Sequence, residues 1–282
     1  MNSSYVFHCG DKQLDLRTPQ VMGILNVTPD SFADGGRYVM LDDALRQAEQ
    51  MAHEGAAIID VGGESTRPGT PFVSLQEELD RVIPVIERLS KNISIPISVD
   101  TRKAGVITAA IAAGASFIND VSALQEDGAL TAIAQSNVPV CLMHMKGVPA
   151  TMQIQPQYDD VVKEVKSFLQ QRVQTCLEAG IPSERIIIDP GFGYGKTAKH
   201  NLILLRELKQ LSELGLPLLV GLSRKSMIGA FLRLPIEERL APSLALAVIA
   251  VLNGARLIRV HDVKQTVEAI QMAAVVDNLE VE

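Results

Sequence analysis

Eight short apolar runs in this 282-residue chain each stop at residues able to do polar chemistry. The stops are Asn26, Asp60, Asp100, Asn119, His144, Asp189, the trio Ser223, Arg224 and Lys225, and the pair Arg259 and His261. Asp100, Asn119 and Asp189 bring carboxylates and an amide. In an apolar, low-dielectric pocket these suit a flat, polar, neutral heterocycle with several N–H donors, because one carboxylate takes two parallel N–H bonds. Lys225 and Ser226 stand just past the seventh run, at an expected helix start, where free backbone N–H groups and the helix dipole favour an anion. Arg259 and His261 close the eighth run and would lie beside them. Singly, each has a plainer role: Asp100 as a helix N-cap, Asp189 as the cap of the next turn, Lys225 as solvated surface, His261 as a satisfied core residue. Their convergence as a set is harder to reduce to such roles. Lys225 also fits a Schiff-base nucleophile if Arg224 and Arg259 repel its proton.

The elements that must position these residues alternate along the chain. After an opening segment at 5–16, whose central Gly10-Asp11 suggests a hairpin turn, strand-like runs occupy 21–26, 57–61, 93–100, 116–120, 138–144, 185–189, 217–222 and 257–261. Between them apolar residues recur at spacings of three and four, as in Ala44, Leu45, Ala48, Met51 and Ala52, or Val161, Val165, Phe168, Leu169, Val173 and Cys176. Ser74 with Glu77 reads as a capping box. Repeated strand–helix units require parallel pairing through crossovers, and about eight of them favour closure into a (β/α)₈ TIM barrel of roughly 250 residues. The expectation is one α/β domain over 1–282, with its strand ends on a single face. Glu54-Gly55-Ala56, Ala113-Gly114-Ala115 and Asn253-Gly254-Ala255 look like left-handed helix ends before the next strand. Two connections, 28–38 and 62–74, are long and glycine-rich and read as loops serving that face.

Composition narrows the function classes. A 47% hydrophobic content with 4% aromatic and no Trp describes a branched aliphatic core, which suits buried parallel strands. The formal net charge of -7 argues against a nucleic-acid surface, which needs a broad basic patch. Cys9, Cys141 and Cys176 form no CxxC pair, so they read as reduced thiols rather than a disulfide frame or zinc site. The most apolar stretch, 244–252, is far shorter than the roughly 20 residues that span a bilayer. With no basic-then-apolar signal at the start, a cytoplasmic protein is expected.

The Asp-Pro-Gly-Phe-Gly-Tyr-Gly-Lys run at 189–196 invites a nucleotide-loop reading and fails it. A P-loop needs Gly where this chain has Pro190, and the dinucleotide fingerprint is broken by a Gly-x-Gly-x-Gly spacing. His53, His144 and His200 make no HExxH or paired-His motif. A metal carried in by a phosphate substrate would need only one or two protein ligands, and Asn26 is the best-placed neutral one.

The ordered segments GILNVTPDSF (23–32), DVGGESTRPG (60–69), SVDT (98–101), INDV (118–121), MHM (143–145), DPGFG (189–193), SRKS (223–226) and RVHDV (259–263) resemble those of the bacterial dihydropteroate synthases, a family of pterin-binding enzymes. The resemblance runs along essentially the whole chain. It implies a folate-biosynthesis transferase that joins 4-aminobenzoate to 6-hydroxymethyl-7,8-dihydropterin pyrophosphate, gives 7,8-dihydropteroate and pyrophosphate, is a sulfonamide target, and works as a homodimer. By the same resemblance Asp100, Asn119, Val121, Met143, Asp189 and Lys225 hold the pterin. Asn26, Thr66, Arg67, Arg259 and His261 hold pyrophosphate, with Asn26 on the accompanying Mg²⁺. Phe32, Thr66, Arg67, Pro68, Tyr194 and Ser226 surround the aminobenzoate, and Asp100, Lys225, Arg259 and His261 carry the chemistry. Tyr194 departs from the usual Phe, and Ala241-Pro242 precedes the long penultimate helix where Ser, Gly or Thr is commoner. Two rivals remain open: the related methyltransferase that passes a methyl group from methyltetrahydrofolate to a corrinoid, and a non-catalytic pterin-binding module.

Overall fold

The parallel strands close on themselves. In the computed structural model, which describes residues 5–27, 37–65, 73–148 and 151–277, β3 (Gln20–Asn26), β4 (Ile58–Gly62), β5 (Ile97–Asp100), β6 (Phe117–Asp120), β7 (Val140–Met143), β8 (Ile186–Asp189), β9 (Leu218–Val220) and β10 (Ala255–Val260) pair in order, and β10 returns to β3. Every ladder of this barrel is parallel. β4 to β9 are buried at every position, as expected of strands that face side chains within the barrel and helices outside it.

An antiparallel hairpin, β1 (Val6–Cys9) and β2 (Lys12–Asp15), precedes the barrel and turns at Gly10-Asp11. Its Phe7, Cys9, Leu14 and Leu16 pack with Met22, Ile58, Phe117, Cys141, Ile187, Leu219 and Leu257 and close the end of the barrel opposite the polar strand ends. Lys12 fastens the hairpin by donating to the carbonyls of Ile93 (2.7 Å) and Ile95 (3.0 Å).

The helices are α1 (Arg37–His53), α2 (Leu75–Asn92), α3 (Ala104–Ala113), α4 (Ala129–Ala134), α5 (Val161–Glu178), α6 (Ala198–Arg206), α7 (Lys209–Ser212), α8 (Ser226–Leu232), α9 (Leu240–Leu252) and α10 (Val263–Asp277). The Ser74–Glu77 capping box opens α2. Val82, Val85, Ile86 and Leu89 on its inner face are buried, and each such side chain contributes roughly 1.5–3 kcal/mol. Gly55, Gly114 and Gly254 take positive φ at 97°, 109° and 99°, the left-handed ends expected of them.

Most strand limits move by one or two residues from the sequence reading, and two boundaries differ for a reason the contacts give. β5 begins at Ile97 and not at 93, because Ile93 caps α2 with its own N–H on the Leu89 carbonyl. α9 begins at Leu240, so Ala241-Pro242 lies inside its first turn, where proline costs no intrahelical hydrogen bond. No helix among the described residues is long and apolar enough to cross a membrane.

Candidate active site

Asp60 is the centre of the polar strand ends. It is fully buried and accepts from Ser98 Oγ (2.5 Å), Asn119 Nδ2 (3.0 Å) and Arg259 Nε (2.6 Å). Arg259 gives a second bond, Nη2 to Asp100 Oδ2 at 2.8 Å, so one guanidinium from β10 ties β4 to β5. Pairing sets the registers: Gly62 lies beside Asp100 and Asp100 beside Asn119. Although burial works against its charge, the carboxylates of Asp60 and Asp100 raise the Arg259 guanidinium above its ordinary value. Burial pushes the Asp100 carboxyl upward, opposed by Arg259. Asp60 ended a run in the sequence, yet nothing there marked it as the hub.

The acceptor side of the site is unfinished in a way that calls for a donor. Asn119 spends its amide N–H on Asp60, and its Oδ1 is buried with no partner among the described residues. Such an orphan costs free energy until something donates to it. Asp189, at the end of β8, takes the Gly191 N–H on Oδ1 at 2.7 Å. The turn-cap role foreseen for it is therefore real for one oxygen, while Oδ2 takes no hydrogen bond among the described residues. Val121 and Met143 are buried at the ends of β6 and β7 and supply apolar wall. Asp120, the neighbour of Asn119, points the other way and accepts from the N–H groups of Ser122 (2.6 Å) and Leu124 (3.0 Å).

The cationic side comes from β9, β10 and α8. Lys225 precedes α8 and sits over the Tyr194 ring, Nζ 4.4 Å from its centroid. His261 Nδ1 lies 3.0 Å from Ser223 Oγ. Arg224 takes a left-handed φ of 55° and is held by Asp262 through Nε (3.0 Å) and Nη2 (2.6 Å). Arg224 is thus spent on Asp262, which weakens the case for a proton-repelling neighbour of Lys225. Ser226 is exposed at the first position of α8. Asn26 completes the ring: a Cβ built on Gly62 would stand 3.5 Å from Asn26 Oδ1 and 4.0 Å from Asp100 Oδ2. The barrel thus brings together Asn26, Asp100, Asn119, Val121, Met143, Asp189, Tyr194, Lys225, Ser226, Arg259 and His261. Phe32, Thr66, Arg67 and Pro68, with most of the loops at 28–38 and 62–74, lie outside the described residues.

Burial raises the Asp189 carboxyl to about 6 and the Asp120 carboxyl to about 7, opposed in each by backbone N–H bonds. A folded pKa above the unfolded value of roughly 3.9 means stability that is complete below that value and lost as pH rises through the folded one. His144, which burial drives down to about 2, acts in the opposite sense. The difference between the wild type and Asp189→Asn therefore isolates Asp189. Denaturant titrations of the ligand-free protein should show the wild type losing roughly 2–3 kcal/mol relative to that variant between pH 4 and pH 7.5. A difference that does not change with pH would show Asp189 ionised throughout.

The chain matches the pterin binding enzyme family over residues 22–261. It is 55% identical over 259 residues to the dihydropteroate synthase of Escherichia coli (strain K12), covering 92% of each chain. The structure of Yersinia pestis dihydropteroate synthase with a sulfonamide drug complex superposes with a TM-score of 0.92 at 52% identity, over 97% of this chain and 100% of that one. Xanthomonas albilineans dihydropteroate synthase with 4-aminobenzoic acid superposes with a TM-score of 0.93 at 49% identity, over 99% and 100%.

Proposed function

The chain belongs to the pterin binding enzyme family, and from that premise we propose that it catalyses the dihydropteroate synthase reaction, a group transfer from 6-hydroxymethyl-7,8-dihydropterin pyrophosphate to 4-aminobenzoate that yields 7,8-dihydropteroate and pyrophosphate. The observation that carries the reading is the division of the barrel mouth into an N–H-accepting side, Asp189 and Asn119, and a cationic side, Arg259, His261 and Lys225.

The chemistry needs both sides. As the pterin methylene C–O bond breaks, its electron pair leaves with pyrophosphate and positive charge develops on the pterin. Asp189 Oδ2 and Asn119 Oδ1 accept ring N–H bonds and orient the heterocycle, with Val121 and Met143 against its face. Asp100 sets negative charge toward the methylene. Arg259 retains its Nη1 end for a phosphate oxygen, since Nε and Nη2 are held by Asp60 and Asp100, and His261 stands beside it. The arylamine nitrogen then forms the C–N bond and gives up a proton to solvent. Tyr194, Ser226, Phe32, Thr66, Arg67 and Pro68 are assigned to the aminobenzoate, and Thr66 and Arg67 also to pyrophosphate.

Mg²⁺ fits this site as an ion arriving with pyrophosphate. Asn26 offers a hard oxygen near Asp100, and no group of three or more His, Cys, Asp or Glu among the described residues would hold a metal unaided. When bound, the ion neutralises charge on the leaving group. The cationic side also speaks against the methyltransferase reading, which needs no pyrophosphate site.

Turnover tests the assignment. Pyrophosphate release from the pterin substrate should require 4-aminobenzoate and be blocked competitively by a sulfonamide. Pterin binding without turnover would leave a binding module, and methyl transfer to a corrinoid would replace the assignment. A homodimer and a cytoplasmic location complete the proposal. The first is supported by exposed Ile249 and Leu252 on α9 and exposed Met272, Val275 and Val276 on the adjoining α10, and sedimentation at twice the monomer mass checks it. The second is supported by three free, buried cysteines.

A further inference from the structure

Lys196, at the end of the glycine-rich run that failed as a nucleotide loop, is only 2% exposed. Its ammonium donates to the carbonyls of Gly191 (2.8 Å) and Tyr194 (3.1 Å) and meets His144 Nδ1 at 2.9 Å. Three partners use all three ammonium protons. The third requires a lone pair on Nδ1, hence a neutral ring, and burial with the nearby Lys196 charge keeps His144 neutral. The loop comes this close only because Gly191 and Gly195 take φ of 68° and 65° and carry no side chain. A Cβ at either would strike the His144 or Lys146 carbonyl oxygen. On the far side, Gly193 takes its N–H to Asn201 Oδ1 (2.8 Å) and Tyr158 donates to the Gly195 carbonyl (2.9 Å). The face of the loop turned to the barrel mouth carries the Tyr194 ring under Lys225, and the Lys225 stem passes 3.4 Å from a Cβ built on Gly193.

We propose that Lys196 is a positioning residue for the transfer reaction: its buried ammonium folds 191–194 against the end of β7, and that fold sets Tyr194 beneath Lys225. The groups facing it are Asp189 at the end of β8, His144 and Lys146 after β7, Tyr158 before α5, His200 on α6, and Lys225 before α8. Burial lowers the Lys196 ammonium to about 7, with Asp189 opposing and Lys225 and Lys146 adding to the fall. Its hold on the carbonyls therefore weakens on the alkaline side of neutrality.

The proposal rests on the synthase reading, and wild-type turnover in the same series separates failure of that reading from failure of this one. Lys196→Met should raise KM for 4-aminobenzoate at least threefold through Tyr194, raise KM for the pterin substrate at least tenfold through the Lys225 that Tyr194 carries, and remove an alkaline limb from the pH profile of kcat/KM. Combined with Tyr194→Leu it should add no more than about threefold beyond the larger single effect, because both act through one ring. His144→Leu is the second variant should Lys196→Met fail to fold, and should raise the pterin KM at least threefold. An unchanged pterin KM in every variant that folds, or effects of Lys196→Met and Tyr194→Leu that multiply fully, would overturn the proposal.

Discussion

Asp189→Asn should abolish pterin binding while leaving the barrel folded. Asn keeps an oxygen for the Gly191 N–H, so the turn after β8 survives, but it turns an NH₂ toward the ring where Oδ2 had accepted. Each charge-assisted bond is worth roughly 1.5–3 kcal/mol. Losing two acceptor contacts and facing donor with donor then predicts a fall in affinity on the order of 10²–10⁴. The pH dependence carries the same signature. Because the Asp189 carboxyl is raised to about 6, wild-type affinity for a pterin should weaken as pH falls through that value, and calorimetry on the variant should lose the dependence. A change of less than threefold at neutral pH would remove Asp189 from the pterin site.

Arg259→Ala should be costly twice. The guanidinium side chain is 18% exposed and pairs with Asp60, which is fully buried, as well as with Asp100. Removing one partner of a buried ion pair typically costs about 3–5 kcal/mol, a drop in melting temperature on the order of 10 °C for a chain of this size. Turnover should fall by a further 10²–10³ or so, the usual scale for losing a group that stabilises developing charge. The two losses separate by ligand. Pyrophosphate should weaken far more than a pterin lacking phosphates, since only the former uses Nη1. Equal weakening of both ligands would make Arg259 a brace for Asp60 and Asp100 and no more.

The fold was legible because parallel strands buried on both faces must be short apolar runs, and each ended where a functional side chain emerged. Elements whose limits depend on a neighbour were less so. Ile95 looks like strand, yet its carbonyl serves Lys12 of the hairpin, and the paired segment begins only at Ile97. The same distinction runs through the site. Asp100, Asn119, Asp189, Lys225, Arg259 and His261 could be singled out by type and position, since a strand end faces the barrel mouth whatever its partners are. That Arg259 spends two donors on carboxylates 199 and 159 residues away could not be read, because no local spacing encodes it. For that reason Asp60 could be read only as a strand end, and Lys196 only as the last residue of a failed nucleotide loop. Each acts through side chains or carbonyls brought to it by barrel closure or by left-handed glycines, and a buried lysine in a glycine-rich loop looks like a solvated one until the loop has folded.

The most direct test is a crystal structure of this protein holding a dihydropterin pyrophosphate that cannot ionise. The account predicts ring N–H groups within hydrogen-bond distance of Asp189 Oδ2, the Asn119 Oδ1 orphan satisfied by a ligand donor, and phosphate oxygens on Arg259 Nη1 and beside His261. A pterin bound elsewhere, or one turned so that its phosphates meet Asp189 and its ring meets Arg259, would contradict it.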